Sequence, residues 1–287
     1  MTQTKATVLI HWLLLCALAL VACRDDAKAG RLAVAHAKRL VELATEDVAE
    51  VRRGLPEGAR HLADLYVRRD GDATDLQVMQ EEIRRARAKV QDLRVAKGTF
   101  FGVVSRSGRV LRTNLDADRL AGANAFAAFP GLKEALTKDE YTETSGILDE
   151  AAGVRDAPDA QWVAGAPVRH DGKPVAVFVT GWSWSAYAYR LENALRGEVR
   201  DSLDAKRHDK MPLLYVYVVV DKEAYGAPVS PRVNARAILE REPLARTAPD
   251  KPMHTILEIT GREFAMGVVR APVLGGDVAI AVLRSET

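Results

Sequence analysis

The sequence predicts an α+β protein: an N-terminal helical spine followed by two units, each an antiparallel sheet with flanking helices. Three observations predict it. Apolar residues recur every three to four positions from Ala27 to about Lys97, the period of an amphipathic helix. At Thr99 the period becomes that of extended chain, with strands separated by glycine-containing hairpin turns. After a charged helix from Ala186 to Lys210, the succession of strands, helix and three further strands occurs again between Leu213 and Arg284.

The chain begins with Lys5 ahead of an apolar run, Val8 to Ala22, which has the length of a signal-peptide core and is short for a membrane-spanning helix. The run closes on Leu20, Val21, Ala22 and Cys23, and this LVAC resembles the lipobox of bacterial lipoproteins. The resemblance implies a signal peptide over residues 1–22, removed on export, with lipid attached to Cys23 as the anchor to a membrane. An uncleaved anchor helix is the alternative. Either arrangement places the residues that follow outside the cytoplasm. Two or three acyl chains give stable anchoring where one is marginal. In a Gram-negative host, Arg24 stands where an aspartate would resemble an inner-membrane retention signal, so there the outer membrane, facing the periplasm, is expected over the inner one.

Lys and Arg total 41 against 39 Asp and Glu. That balance provides no electrostatic footprint for nucleic acid. On the lipobox resemblance, Cys16 lies in the run that would be discarded and Cys23 would carry the lipid, which would leave no thiol for a disulfide, for catalysis or for zinc. Packing must stabilise the fold.

Lipid attachment and the spine occupy residues 23–97. Leu32, Ala35, Leu40, Leu43 and Val51 mark the apolar stripe, with a break expected at Gly54-Leu55-Pro56-Glu57-Gly58 and a turn at Asp70-Gly71-Asp72 before a helix capped by Thr74 or Asp75. Ile83, Val90 and Leu93 continue the stripe, while Glu81, Glu82, Arg84, Arg85 and Arg87 read as a solvated, charge-paired face.

The first unit spans residues 98–185. Phe100 to Val104 and Arg109 to Thr113 form a hairpin around Ser105-Arg106-Ser107-Gly108. Short helices are expected at Leu115 to Leu120 and Gly131 to Leu136, a strand at Tyr141 to Thr144, and a loop at Gly146 to Asp159. Trp162 to Arg169 and Lys173 to Trp184 are strands joined at His170-Asp171-Gly172. A linker helix over 186–210 carries Leu191, Leu195, Val199 and Leu203 on one stripe. The second unit, 211–287, is expected to hold strands at Leu213 to Asp221 and Ala227 to Pro231, a helix from Asn234 to Arg246, and strands at Thr255 to Thr260, Glu263 to Ala271 and Asp277 to Arg284.

Two strands, helices and three strands, preceded by a long helix, resemble the PAS-like fold. A long helix running into FFGVVSRSGRVLRTN resembles the Cache domains of bacterial sensor proteins, and the repetition resembles a double Cache arrangement on one spine. That resemblance implies a small-molecule ligand between the first sheet and the segment after its second strand. It points to Arg112, Asn114 and Asp116 as polar contacts, with Tyr141, Trp162 and Trp182 as aromatic walls. Strand period places Thr180, Trp182 and Trp184 on one face, and Trp162, Ala164 and Ala166 on one face. The tyrosine and arginine run with which many amino-acid-binding Cache domains hold their ligand is not recognisable, so the ligand stays open.

No catalytic set is expected. His36, His61, His170, His208 and His254 fall in no metal-ligand spacing. The GWSWS segment around Ser183 lacks the second glycine of a nucleophile elbow. No phosphate loop and no cofactor are expected. The leading expectation is therefore a membrane-anchored extracytoplasmic lipoprotein that binds or senses a small molecule without catalysis and passes its signal to a separate envelope protein, or to a second copy, through the spine. A structural or assembly scaffold of the cell envelope is the alternative.

Overall fold

The computed structural model describes residues 3–67, 76–149, 157–203 and 210–285, with the side chains at 3–26, 64–67 and 76 outside the described set. Cys23 therefore lies in a described helix, but its side chain does not belong to that set, and neither do Thr74, Asp75 and the Asp70-Gly71-Asp72 turn. Among the described residues no helix is long and apolar enough to cross a membrane.

One helix, α1, runs from Gln3 to Val67 without a break. The expected interruption at Gly54–Gly58 does not occur: Pro56 sits inside the helix, although it lacks the N–H that would bond the carbonyl of Arg52. The two glycines serve packing instead. A Cβ on Gly54 would lie 2.7 Å from a Leu93 methyl carbon, and one on Gly58 would lie 2.7 Å from the Phe178 ring. Of the expected stripe Leu40 and Val51 are buried, Leu43 is half-buried, and Leu32 and Ala35 are exposed; the packed face runs instead through Ala33, Ala37, Leu40, Ala44, Val48, Val51 and Leu55, still at three-to-four spacing. Two further helices follow, α2 (Leu76–Lys89) and α3 (Gln91–Val95), divided at Val90, whose backbone is extended.

The chain forms two compact units. One comprises Leu43–Tyr187 with Val273–Gly275; the other comprises the chain up to Glu42, Ala188–Pro272 and the residues from Gly276 on. In the first, β1 (Phe100–Ser105), β2 (Val110–Thr113), β3 (Thr142–Leu148), β4 (Asp159–His170) and β5 (Lys173–Ser183) build an antiparallel sheet in the order β2-β1-β5-β4-β3. Asp171 and Gly172, with φ of 49° and 74°, make the tight β4–β5 turn that aspartate and glycine favour. Three short helical pieces stand between β2 and β3: α4 (Ala125–Ala128), a 3-10 turn (Pro130–Lys133) and α5 (Glu134–Thr137). Leu115 to Leu120 is not helical, because Asp118 turns the chain back by accepting from the Thr113 N–H at 2.7 Å and its hydroxyl at 2.8 Å.

In the second unit α6 (Trp184–Ser202) contributes buried Leu191, Leu195 and Val199, and its sheet contains β6 (Leu213–Val220), β7 (Glu223–Gly226), β8 (Met253–Ile259), β9 (Arg262–Arg270) and β10 (Val278–Ser285). Its order, β7-β6-β10-β9-β8, repeats that of the first sheet strand for strand. The second strand lies four residues before the segment expected, since Pro228 and Pro231 supply no donor and Asp221, at φ 51°, turns the chain early. The single helix expected over Asn234 to Arg246 is two, α7 (Arg232–Leu239) and α8 (Pro243–Arg246), separated where Glu242 takes a φ of 49° before Pro243.

Candidate functional site

The first sheet presents two different faces. Phe100, Val104, Val163, Val177 and Val179 point to one side, where they pack with Ala125, Phe129, Leu132 and Ala135 from the helical pieces. That side holds a cavity of about 20 Å³, lined among the described residues by apolar side chains alone, with Leu120 and Ala123 from the β2–α4 loop and Leu148 from β3 completing it. A space of this size accepts one small group, and without polar partners it stays dry.

The opposite face carries Phe101, Phe178, Thr180, Trp162 and Trp182. Trp162 and Trp182 are paired across β4 and β5, and their rings stack at 4.2 Å; Trp182 stacks in turn on Tyr187 of α6 at 4.6 Å. All three are 1% exposed. Tyr187 donates a hydrogen bond of 3.0 Å to Asp47 of α1, whereas the buried Trp182 indole N–H meets no acceptor among the described residues. Offset aromatic pairs of this kind add about 0.5–1.5 kcal/mol each beyond their burial.

Tyr141 donates to Glu143 at 2.8 Å, and Glu143 accepts from Arg52 of α1 at 2.6 and 2.9 Å. Burial, followed by the Glu143 charge, holds the Tyr141 phenol well above its ordinary pKa, so it remains a donor; the bond to Glu143 raises the Arg52 guanidinium. The bidentate pair ties β3 to α1.

The six residues expected to form a ligand site are thus divided by the structure. Trp162 and Trp182 lie together on the sheet face opposite the cavity, and Tyr141 is engaged with Glu143. Asn114 holds the end of the first hairpin: its side-chain oxygen accepts from the Phe101 N–H at 2.7 Å while its own N–H donates to the Phe101 carbonyl at 2.8 Å. Arg112 lies 3.8 Å from Asp118, and the fully solvated Asp116 meets Arg84 at 2.6 Å. None of the six lines the cavity. Phe100, Val104, Val163 and Val179, which do line it, carried a signal in the sequence, the alternation of apolar residues along β1, β4 and β5, but apolar alternation also marks ordinary core. Among the described residues no group of three His, Cys, Asp or Glu side chains could hold a metal.

A long helix leading into two five-stranded antiparallel sheets of the same order, each with helices on its flank, is the fold of the extracytoplasmic ligand-binding sensor domains of chemoreceptors and histidine kinases, which the Cache-like element order implied. No protein-family model matches the sequence, and no curated protein matches it. The likeness is to solved structures. A domain of a putative sensory box/GGDEF family protein from Vibrio parahaemolyticus is 9% identical with a TM-score of 0.58, covering 92% of this chain and 98% of that one. The ligand-binding domain of Mlp24, solved with asparagine, is 12% identical at a TM-score of 0.52, over 91% of this chain and 94% of that one. The ligand-binding domain of the Campylobacter jejuni chemoreceptor Tlp3, in complex with L-norvaline, is 10% identical at 0.52, over 90% and 92%.

Proposed function

We propose that this chain is an extracytoplasmic sensory module, tethered to a membrane through lipid on Cys23, which binds a small apolar molecule in the cavity of its first unit and passes the signal to a separate partner without catalysis. The observation that carries the reading is the cavity itself, placed between the sheet and the segments following its second strand and lined, among the described residues, only by apolar groups. Two domains of similar fold were solved with asparagine and with L-norvaline. A zwitterion moved into an unpolar cavity loses hydration that nothing restores, so the ligand class here differs. Arg112 and Asn114 serve as positioning residues: with Asp118 they fix the loop that lays Leu120 and Ala123 over the cavity. A ligand larger than one small group enters by displacing that loop.

A thermal-shift screen of small aromatic and aliphatic compounds against amino acids tests the ligand class. A compound at 100 times its Kd adds about 2.7 kcal/mol, roughly 5–10 °C for a protein of this size. Stabilisation by amino acids alone would reverse the assignment. The tight filling of the cavity favours a second reading, an envelope scaffold; no stabilisation by any compound, together with a stable pull-down partner, selects it. Incorporation of labelled palmitate, lost in Cys23→Ala, tests the tether, and an unlabelled intact protein would refute it.

A further inference from the structure

The second unit holds a larger concavity that the ligand reading does not use. A groove of about 820 Å³ opens between α1 and the β8–β9 hairpin, beside the end of β10. Its floor is apolar, with Leu32, 37% exposed, and Ile256. Its rim is basic among the described residues: Lys28 on α1, Arg262 just after the hairpin tip and Arg284 on β10, against one carboxylate, Glu263. The tip is built by Thr260 and Gly261, with φ of 51° and 75°, a turn geometry that fixes where Arg262 emerges. Arg284 is held in place by a 3.0 Å contact with the His36 ring. Along α1, Lys28 follows Cys23 by five residues, an axial rise of about 8 Å. The groove therefore lies at the end of the unit that a lipid on Cys23 would bring to the bilayer.

We infer that this groove docks on anionic phospholipid, with phosphate at the Lys28, Arg262 and Arg284 rim and acyl chain against Leu32 and Ile256. The inference rests on the tethering proposal and adds a lipid preference to it. A single basic side chain near an anionic surface changes partition about fivefold. An apolar floor below such a rim suits an amphiphile better than a free anion, which would leave Leu32 solvated.

The test uses the full-length protein in nanodiscs of phosphatidylcholine alone or with phosphatidylglycerol, followed by hydrogen exchange. Phosphatidylglycerol is expected to slow exchange at residues 256–265 by fivefold or more, and Lys28→Gln with Arg262→Gln to abolish the difference at an unchanged Tm. Equal exchange in both lipids would overturn the headgroup contact and leave the tether standing. Loss of the protein from both kinds of disc would overturn the tether.

Discussion

Gly267 of β9 crosses α1 where helix and strand are nearly in backbone contact. A Cβ placed on it would lie 2.3 Å from the Ala33 carbonyl carbon and 2.3 Å from the Val34 nitrogen, against 3.4 Å or more for an ordinary contact. Neither neighbour is a side chain that could rotate away. In Gly267→Ala the helix must recede by about 1 Å, which forfeits up to half of the dispersion energy of the atoms that faced the strand. Ala33 and Ala37, both fully buried, are small for the same close approach. Overpacking costs about 1–3 kcal/mol, at the top of that range here because both clashing atoms are backbone, and alanine recovers up to about 1 kcal/mol of glycine's conformational entropy, so the net loss is about 2 kcal/mol. That corresponds to a Tm lowered by roughly 4–8 °C, read by calorimetry. Gly197, inside α6 with nothing within 4 Å of its Cβ position, is the matched control: Gly197→Ala gains about 0.5–1 kcal/mol. A Gly267→Ala protein that melts with the wild type would show that helix and strand are not in contact there.

Three further outcomes follow from the packing and the charges. Trp182→Ala, which empties the centre of the three-ring stack, costs about 3–5 kcal/mol in urea unfolding; a loss under 1 kcal/mol would contradict the stacking. Burial pushes the Tyr217 phenol up to about 12, so stability falls as pH rises from about 10, where the unfolded phenol ionises, to about 12. Tyr217→Phe removes that portion of the alkaline decline, and an unchanged decline would count against the burial. The Arg53 guanidinium beside Asp92 holds its carboxyl below the usual carboxylate range, so the pair stabilises at neutral pH and its contribution disappears as pH falls below about 4. Wild type and Asp92→Asn should therefore differ in Tm at pH 7 and converge in acid; a gap constant with pH would exclude the pair as its cause.

Helical and extended periods made the spine, the first hairpin and the β4–β5 hairpin legible, because each rests on local rules: a stripe, an alternation, a turn that needs positive φ. Pro56 misled, since local propensity marks a helix end there while Gly54, Gly58 and their contacts with Leu93 and Phe178 keep the helix whole. Pro243 acted as its local chemistry dictates and opened a helix at its first position. Strand period correctly grouped Thr180 with Trp182, but parity does not say which face meets α1 and which meets the short helices. That choice depends on contacts such as Tyr187 with Asp47, 140 residues apart, and it places the tryptophans away from the cavity.

The central claim is that the first unit binds an apolar ligand between its sheet and the β2–α4 loop. Calorimetric titration of the best compound from the screen into wild type and into Ala123→Phe, whose ring fills the cavity from the loop side, tests it most directly. Binding with a negative heat-capacity change in the wild type, lost in a folded Ala123→Phe, is the result predicted. Unchanged affinity in Ala123→Phe would contradict it.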